Sequence, residues 1–183
     1  MLLAPTKIFP SAGHHLKDTG AQAHGRIERD ETIKARNQLM QELKAVKADV
    51  SLGDYDWETN LQYQSRIKPG AGSVVFDLHF DAAVPSASGT AVFVKNGADD
   101  NTKAAAGEIA ATAARVMGIP NRGVRQETQS QHNRIGILHM PGIALLWEVC
   151  FITNKGDMAA YDKNKNALLK EVARVLKKWD DKF

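Results

Sequence analysis

Histidines and acidic side chains occur in this sequence at positions suited to metal chemistry. His14 and His15 are adjacent in a glycine-flanked loop, His79 comes near the end of an apolar stretch, and Glu28 begins a predicted helix. A catalytic zinc ion takes three nitrogen or oxygen ligands from the protein and leaves a position for water, and two histidines with one glutamate form an established set. A separate carboxylate, for which Glu148 is available, can then accept a proton from the water. These residue types are the ones that metal-assisted amide hydrolysis requires.

Glu148 lies within the apolar run ALLWEVCFI. Such a run predicts a strand that is covered on both faces. An ionised carboxylate there costs several kcal/mol unless it is paired, protonated or bound to a metal. The alternatives are a buried glutamate paired with an arginine such as Arg134, or a glutamate at the wet end of the strand. The residues alone leave the catalytic and the structural interpretation open.

His79 lies in the run VVFDLHF, where apolar residues alternate with residues that become polar toward the end. In open α/β sheets, ligands bind just beyond the carboxyl ends of the strands. His79 is therefore well placed as a metal ligand, and Asp77 or Asp81 could orient its ring. A purely structural histidine is the alternative.

The loop GHHLKDTGA offers both His14 and His15, but adjacent residues leaving a strand point in opposite directions, so one metal ion would take only one of them. Glu28 stands in the segment GRIERDE, where the helix dipole favours any acidic residue. Asp30 and Glu31 compete for the same role. The local sequence therefore does not decide which histidine and which acidic residue would bind a metal ion.

Hydrophobic periodicity predicts the elements that would position these side chains. Strands are predicted at residues 3–12, 50–52, 74–80, 90–94, 135–140 and 143–152, and helices at residues 26–47, 102–117 and 166–179. Residues 54–68 are predicted to be partly helical, and residues 121–133 to form an exposed loop. Alternation of strands and helices predicts an α/β fold with five or six strands and three main helices.

The bulk composition narrows the class of protein. A chain of 183 residues with 43% hydrophobic and 25% charged residues fits one folded domain with a substantial core. The net charge of +3 would favour binding to an anionic polymer such as a cell wall. The sequence has no dense stripe of basic residues interleaved with aromatics, so nucleic-acid binding is not expected. Cys150 is the one cysteine, which excludes a disulfide framework, and its apolar surroundings predict a buried structural thiol.

No apolar segment has transmembrane length, and the start MLLAPTKIF lacks the charged region and apolar length of a signal peptide. A removed leader and export by another route both fit, and the residues do not choose between them. We expect a monomer.

Four blocks resemble, in order, those of zinc-dependent N-acetylmuramoyl-L-alanine amidases of the autolysin and endolysin type, from about residue 7 to 178. GHHLKDTGA resembles that family's Gly-His-Gly-Gly-x-Asp-x-Gly-Ala loop, and GRIERDETIKARNQL resembles its ligand-bearing helix start. VVFDLHFDAA resembles its Ser-Ile-His-x-Asn strand end, and ALLWEVCFITNKGD resembles its Glu-x-Gly-Phe-x-x-Asn-x-x-Asp block.

This resemblance implies that His14, Glu28 and His79 bind Zn²⁺ and that Glu148 is the catalytic acid and base. It selects His14 over His15 and Glu28 over Glu31. The implied fold is one α/β catalytic domain over residues 1–183, with a mixed twisted sheet of about six strands flanked by helices. The implied substrate is peptidoglycan, cut at the bacterial cell wall, in the periplasm or outside the cell, between the lactyl group of muramic acid and L-alanine.

Four positions depart from the family pattern: His15 replaces a glycine, Asp77 and Asp81 stand where serine and asparagine are usual, and Cys150 replaces the glycine after Glu-x. We expect His15, Asp77 and Asp81 to touch the metal ligands or the substrate, and Cys150 to be a modest change in packing. The alternatives within this framework are another zinc peptidase or amidohydrolase acting on a peptide-like substrate, and a non-catalytic wall-binding module. The second predicts loss of a ligand or of the catalytic glutamate, whereas this chain retains all four residues. A phage lysis enzyme, a cellular autolysin and an effector all fit the sequence.

Overall fold

The computed structural model of the protein describes residues 7–48 and 52–183. The strands are β1 (Ile8–Ala12), β2 (Gln22–Ala23), β3 (Arg26–Ile27), β4 (Val74–Asp81), β5 (Thr90–Val94), β6 (Asn121–Gln126) and β7 (Ile143–Phe151). The helices are α1 (Glu28–Ala45), α2 (Asn60–Arg66), α3 (Asp100–Met117) and α4 (Lys155–Asp180), with short 3-10 helices at Glu127–Gln129 and Gly136–His139.

The main sheet has five strands in the order β1-β4-β7-β5-β6. β1, β4 and β7 are parallel to one another, β5 runs antiparallel to β7, and β6 is parallel to β5. β2 and β3 form a separate two-stranded antiparallel ribbon. The predicted α/β fold with a mixed sheet flanked by helices is confirmed, with five strands in the main sheet where about six were expected.

The two faces of the sheet are covered differently. Val74, Phe76, Leu78 and Phe80 alternate along β4 and pack in the main core with apolar side chains of α1, α3 and α4. The opposite face packs against α2 and the Gly136–His139 turn in a smaller cluster: Phe9, Tyr63, Ile67, Val75, Phe93, Ile137, Leu138, Ala144 and Leu146. Farther along the strands, this second face forms the wall of an open cavity.

Local signals explain where α3 begins and ends and where α4 begins. The Asp99 side chain accepts a hydrogen bond from the backbone N–H of Thr102 at the start of α3, and Gly118 ends that helix in the left-handed conformation with φ of 69°. The Asn154 side chain caps α4 by accepting from the N–H of Asp157. α4 begins eleven residues before the predicted position 166. Its first turns have only Met158 and Tyr161 as large buried apolar side chains, a weaker pattern than the stripe from Leu168 onward.

Two predicted elements are wrong. Residues 135–140 are not a strand, since Gly136–His139 form a 3-10 turn that buries the adjacent Ile137 and Leu138 against the sheet. A short apolar run does not distinguish these two outcomes. Residues 121–133 are not simply a loop, because Asn121–Gln126 form the edge strand β6. Its largely polar sequence reflects one-sided exposure at the sheet edge.

Two further predictions fall partly on residues outside the described ranges. For the first predicted strand these are residues 3–6. For the predicted strand at 50–52 they are residues 50 and 51, while Leu52 lies outside any strand. Within the described part of the chain, none of the helices combines the length and apolarity needed to cross a bilayer.

Candidate active site

The predicted site residues meet at the carboxyl ends of β1, β4 and β7. His79 and Glu148 are register partners on β4 and β7, so their side chains lie next to each other on one face of the sheet. β1 leads directly into the loop that carries His14, and Glu28 is the first residue of α1. Four parts of the chain that are distant in sequence thus converge at the strand ends, where open α/β sheets place their ligands.

His14, Glu28 and His79 each offer one ligand atom, and these atoms all lie within 4.8 Å of one another. Nε2 of His14 lies 3.0 Å from Oε2 of Glu28, and Nδ1 of His79 lies 3.1 Å from Oε1 of Glu28. Each oxygen of the carboxylate therefore faces one imidazole. The trio is a possible metal site with two nitrogen donors and one carboxylate.

The Glu28 carboxylate is buried and fixed by the backbone. The N–H of Ala21 donates to its Oε2 at 2.9 Å, and the N–H of Phe80 donates to its Oε1 at 3.1 Å. Burial by itself raises the pKa of Glu28, but hydrogen bonds with His14 and His79 outweigh burial and hold the pKa well below its usual range. The side chain is therefore an ionised carboxylate at neutral pH.

The outward nitrogen of each histidine faces a second carboxylate. Nδ1 of His14 lies 2.9 Å from Oδ2 of Asp18, and Nε2 of His79 lies 3.3 Å from Oδ2 of Asp77. Asp77 is itself fixed, since its Oδ1 accepts a hydrogen bond of 2.6 Å from the Ser11 hydroxyl. Metal-binding histidines usually donate their second N–H to such a carboxylate, which fixes the tautomer and ring orientation.

Asp18 was not among the residues singled out from the sequence. The signal that could have found it is its place four residues after His14 in the same short loop, within reach of the outward ring nitrogen. The acidic surroundings also act on His79: burial lowers its pKa, but the charge and hydrogen bond of Asp77 and the hydrogen bond of Glu28 raise it well above its usual value. The same negative potential favours a bound cation.

Two loop glycines allow the backbone to approach the trio closely. A Cβ atom at Gly13 would lie 2.5 Å from Cε1 of His79. At Gly20, where φ is +60°, a Cβ would lie 2.5 Å from Cδ2 of His14 and 2.6 Å from Oε2 of Glu28. His14 itself has a positive φ of 69°, which is uncommon for a residue with a side chain. The loop is thus shaped to present one imidazole.

Glu148 is partly buried and has an unusual environment. Its Oε2 is enclosed and has no hydrogen-bond partner among the described residues. Burial raises the pKa of Glu148 to about 8, and the carboxylates of Asp81 and Glu28 act in the same direction against the opposing charges of His79 and Arg122. The alternative pairing with Arg134 is absent from the described contacts, and Arg134 is exposed. This is a carboxyl group that binds and releases a proton near neutral pH.

The trio and Glu148 line one cavity of about 350 Å³, together with Asp77 and Phe93. Glu148 also lines an adjoining cavity of about 460 Å³ that contains Arg122 and Arg125. The two cavities form a continuous cleft, because Asp81, Ala82, Phe93, Ser130, Gln131, His132 and Glu148 line both. The geometry therefore places a proton-exchanging carboxyl beside a possible metal site in an accessible cleft.

Other predicted residues take different positions. His15 lies outside the trio, and its Nδ1 accepts from the N–H of Lys17 at 3.3 Å. Asp81 pairs with Nη1 of Arg122 at 2.7 Å, and Asp77 is the aspartate that contacts His79. Cys150 is buried, as predicted.

Comparisons with known proteins agree with the resemblance seen in the sequence. The Amidase_3 family, described as N-acetylmuramoyl-L-alanine amidase, matches residues 8–178. No curated protein sequence matches the chain at a significant level.

Similar folds occur among solved structures. Cwp6 from Clostridium difficile is 20% identical with a TM-score of 0.80, and the match covers 96% of this chain but 29% of Cwp6. The amidase AmiC2 of Nostoc punctiforme is 19% identical with a TM-score of 0.78, covering 96% of this chain and 97% of that one. The catalytic domain of the CD27L endolysin targeting Clostridia difficile is 17% identical with a TM-score of 0.74, covering 94% of this chain and 97% of the domain.

Proposed function

Because the chain belongs to the N-acetylmuramoyl-L-alanine amidase family, we propose that it hydrolyses the amide between the muramic acid lactyl group and the L-alanine of the peptidoglycan stem peptide. The observation that carries the proposal is the placement of Glu148 beside the His14–Glu28–His79 trio in one cleft. Such an enzyme acts at the bacterial cell wall, in the periplasm or outside the cell, and we expect the chain to work as a monomer.

We propose that His14, Glu28 and His79 hold a zinc ion. The donor set fits, because it contains two imidazole nitrogens and one ionised carboxylate, and each imidazole is backed by a further carboxylate. When bound, zinc would supply a Lewis acid for the scissile carbonyl and an acidified water. The glycines at positions 13 and 20 leave no room for a side chain between the loop and the ligands.

Glu148 would handle the protons of the reaction. Its carboxylate would accept a proton from the attacking water and return it to the nitrogen of the departing L-alanine, so that one residue acts as base and then as acid. A carboxyl with a pKa raised by burial suits both steps, since it holds a proton more readily than an exposed glutamate does and can still release it. A cation bound by the trio would shift this pKa downward and favour the base form at the start of the cycle.

Asp77 and Asp18 would act as positioning residues. Each lies against the outward nitrogen of one histidine, which keeps the inward nitrogen free of a proton and directed at the trio. Ser11 fixes Asp77 in turn. At position 77 the aspartate that departs from the family pattern therefore has a specific contact, with His79 rather than with solvent.

The amidase activity can be tested with purified cell walls. The chain, loaded with zinc, is incubated with peptidoglycan, and the soluble products are identified by mass spectrometry. We expect free stem peptides that begin with L-alanine, together with glycan strands that have lost them. Treatment with a chelator should abolish the release, and added zinc should restore it. Products cut within the stem peptide would instead identify another zinc peptidase, and wall binding without any product would identify a non-catalytic module.

A further inference from the structure

The part of the cleft beyond Glu148 contains two arginines that the proposed chemistry does not use. Arg122 and Arg125, both on the edge strand β6, line the adjoining cavity of about 460 Å³. We propose that Arg125, supported by Arg122, forms a subsite for a carboxylate of the stem peptide, on the side of the scissile amide from which the peptide departs. This inference rests on the proposed amidase function.

The sheet register places Arg125 on the same face as the catalytic candidates. Phe93 on β5 is the register partner of both Leu146 on β7 and Arg125 on β6. Leu146 lies two residues before Glu148 on the same face of β7. A continuous surface therefore runs from the Glu148 carboxyl across Phe93 to the Arg125 side chain.

The Arg125 guanidinium has no protein partner in the described structure. Its Nε is buried and has no hydrogen bond, and no ion pair joins the side chain to any described residue. An unpaired charged donor that is partly withdrawn from water is costly, so it points to an acceptor that arrives with a ligand. A carboxylate suits the planar fork of a guanidinium because it accepts two parallel hydrogen bonds.

Arg122 differs from Arg125 in being held in place. Its Nη1 donates to Asp81 at 2.7 Å, and its guanidinium lies 4.5 Å from the centre of the Phe151 ring. One acidic partner thus compensates Arg122, while the charge of Arg125 is left for the ligand. The cavity is consequently cationic at the end farther from the trio.

The positive charge of Arg125 indicates which end of the cleft would hold the peptide part of the substrate. β6 lies two strand spacings from β7, about 10 Å, which corresponds to two or three residues of extended peptide. A stem peptide carries a carboxylate within that distance of the cleaved nitrogen, whereas the N-acetylated sugar on the other side of the amide is uncharged. The lining of the cavity around His14 includes no lysine or arginine among the described residues, which suits the sugar.

The test compares two soluble substrates that differ in one group. Both are N-acetylmuramoyl-L-alanyl-D-glutamyl compounds whose γ-carboxyl is blocked as a methylamide. One keeps the free α-carboxylate of the second residue, and the other carries a carboxamide in its place. For the zinc-loaded chain we expect kcat/KM to be about 10- to 100-fold higher for the carboxylate, the range for a charge-assisted hydrogen bond. Arg125→Gln should remove the preference, because kcat/KM for the carboxylate should fall toward the value for the carboxamide. Arg125→Lys should keep part of the preference, because it retains the charge without the fork.

Arg134→Gln is the matched control, since Arg134 is exposed on the neighbouring segment and lines neither cavity. It should keep the full preference. A wild-type chain that cleaves both substrates equally, or an Arg125→Gln variant of unchanged thermal stability that keeps the preference, would overturn the subsite. If the wild-type chain cleaves neither substrate, the amidase function fails, and the subsite is then judged by calorimetry. Tighter binding of the γ-blocked L-alanyl-D-glutamyl dipeptide with a free α-carboxylate than of its α-amide, lost in Arg125→Gln, would still support the subsite, and equal binding would reject it.

Discussion

At the level of single residues, the proposed zinc site depends on two glycines that leave space for the ligand side chains. Gly13 has no Cβ, and the ring of His79 lies in the space that a Cβ would occupy. The same holds for Gly20 and the ring of His14. The loop after β1 can therefore close over the trio only with glycine at these positions.

We predict that Gly13→Ala weakens zinc binding by about 10- to 100-fold or more, the range seen when partners of metal-bound histidines are disturbed. A Cβ at this position would lie 2.5 Å from the His79 ring, so the ring or the loop must move away from Glu28. Metal competition with a chromogenic chelator measures the effect.

Gly107→Ala on α3 provides the control. A Cβ there would meet Cγ2 of Val124 at 3.8 Å, an ordinary contact, so zinc affinity should not change. The helix should gain about 0.5–1 kcal/mol of stability, as expected for alanine over glycine inside a helix. Unaltered zinc affinity in Gly13→Ala would contradict the close packing assigned to the loop.

At the level of elements, the segment that follows β6 depends on one buried carboxylate. Glu127 accepts hydrogen bonds from the N–H of Asn96 at 3.1 Å and from the N–H of Ile135 at 2.8 Å, and its Oε2 lies 3.0 Å from Nε2 of His139. Between Glu127 and Ile135 the chain carries Ser130 and His132, which line the cleft. The carboxylate thus ties the rim of the cleft to the sheet and to the Gly136–His139 turn.

We predict that Glu127→Gln lowers the free energy of unfolding by about 1–3 kcal/mol at pH 7, because an ionised acceptor is replaced by a group with one acceptor oxygen. Burial by itself raises the pKa of Glu127, but hydrogen bonds from Ile135, Asn96 and His139 outweigh it and lower the pKa below 4.5. A carboxylate with a lowered pKa stabilises the fold above its unfolded-state pKa, and this contribution is lost as the pH falls through the folded-state value.

Urea unfolding of the wild type and of Glu127→Gln at pH 7 and at acidic pH measures this effect. The difference between the two proteins should shrink as the pH falls below about 4.5. Glu171→Gln, at a surface pair with Arg174 on α4, is the control and should change stability by less than about 1 kcal/mol. A Glu127→Gln variant as stable as the wild type at pH 7 would contradict the role assigned to the carboxylate.

The elements that could be predicted from the sequence are those with strong hydrophobic patterns. β4, β5 and β7 are apolar runs, and the apolar stripes of α1 and α3 match the observed helices closely. β6 has no such pattern, because it is an edge strand with polar, exposed positions. The sequence of the Gly136–His139 turn predicts a strand equally well, because two adjacent buried residues suit either element.

At the level of the whole molecule, the sheet order brings together residues that no local pattern could join. Glu148 and His79 could be singled out from strand patterns, but their register across β4 and β7 is a tertiary fact. The choice of His14 over His15, and of Glu28 over Glu31, came from family resemblance alone. For the histidine, the structure shows a physical reason: the loop reverses at His14, where φ is positive, and the His14 ring faces Glu28 at the start of α1.

The position of Arg125 in the cleft could not be predicted from the sequence. The residue lies in a polar stretch that predicts a loop, and only two strand pairings place it on the same face of the sheet as Glu148. The resemblance to wall amidases is confirmed by the family match over residues 8–178.

The central proposal is tested most directly by measuring how fast the Glu148→Gln variant releases stem peptides from peptidoglycan. The zinc content of the same protein is measured alongside. We predict that this variant folds and binds a stoichiometric amount of zinc. It should release stem peptides that begin with L-alanine at least about 100-fold more slowly than the wild type, the usual scale of lost acid–base catalysis. It should be no less stable, because burial disfavours the charge that the amide lacks. A zinc-loaded Glu148→Gln protein that releases stem peptides at the wild-type rate would contradict the catalytic role proposed for Glu148.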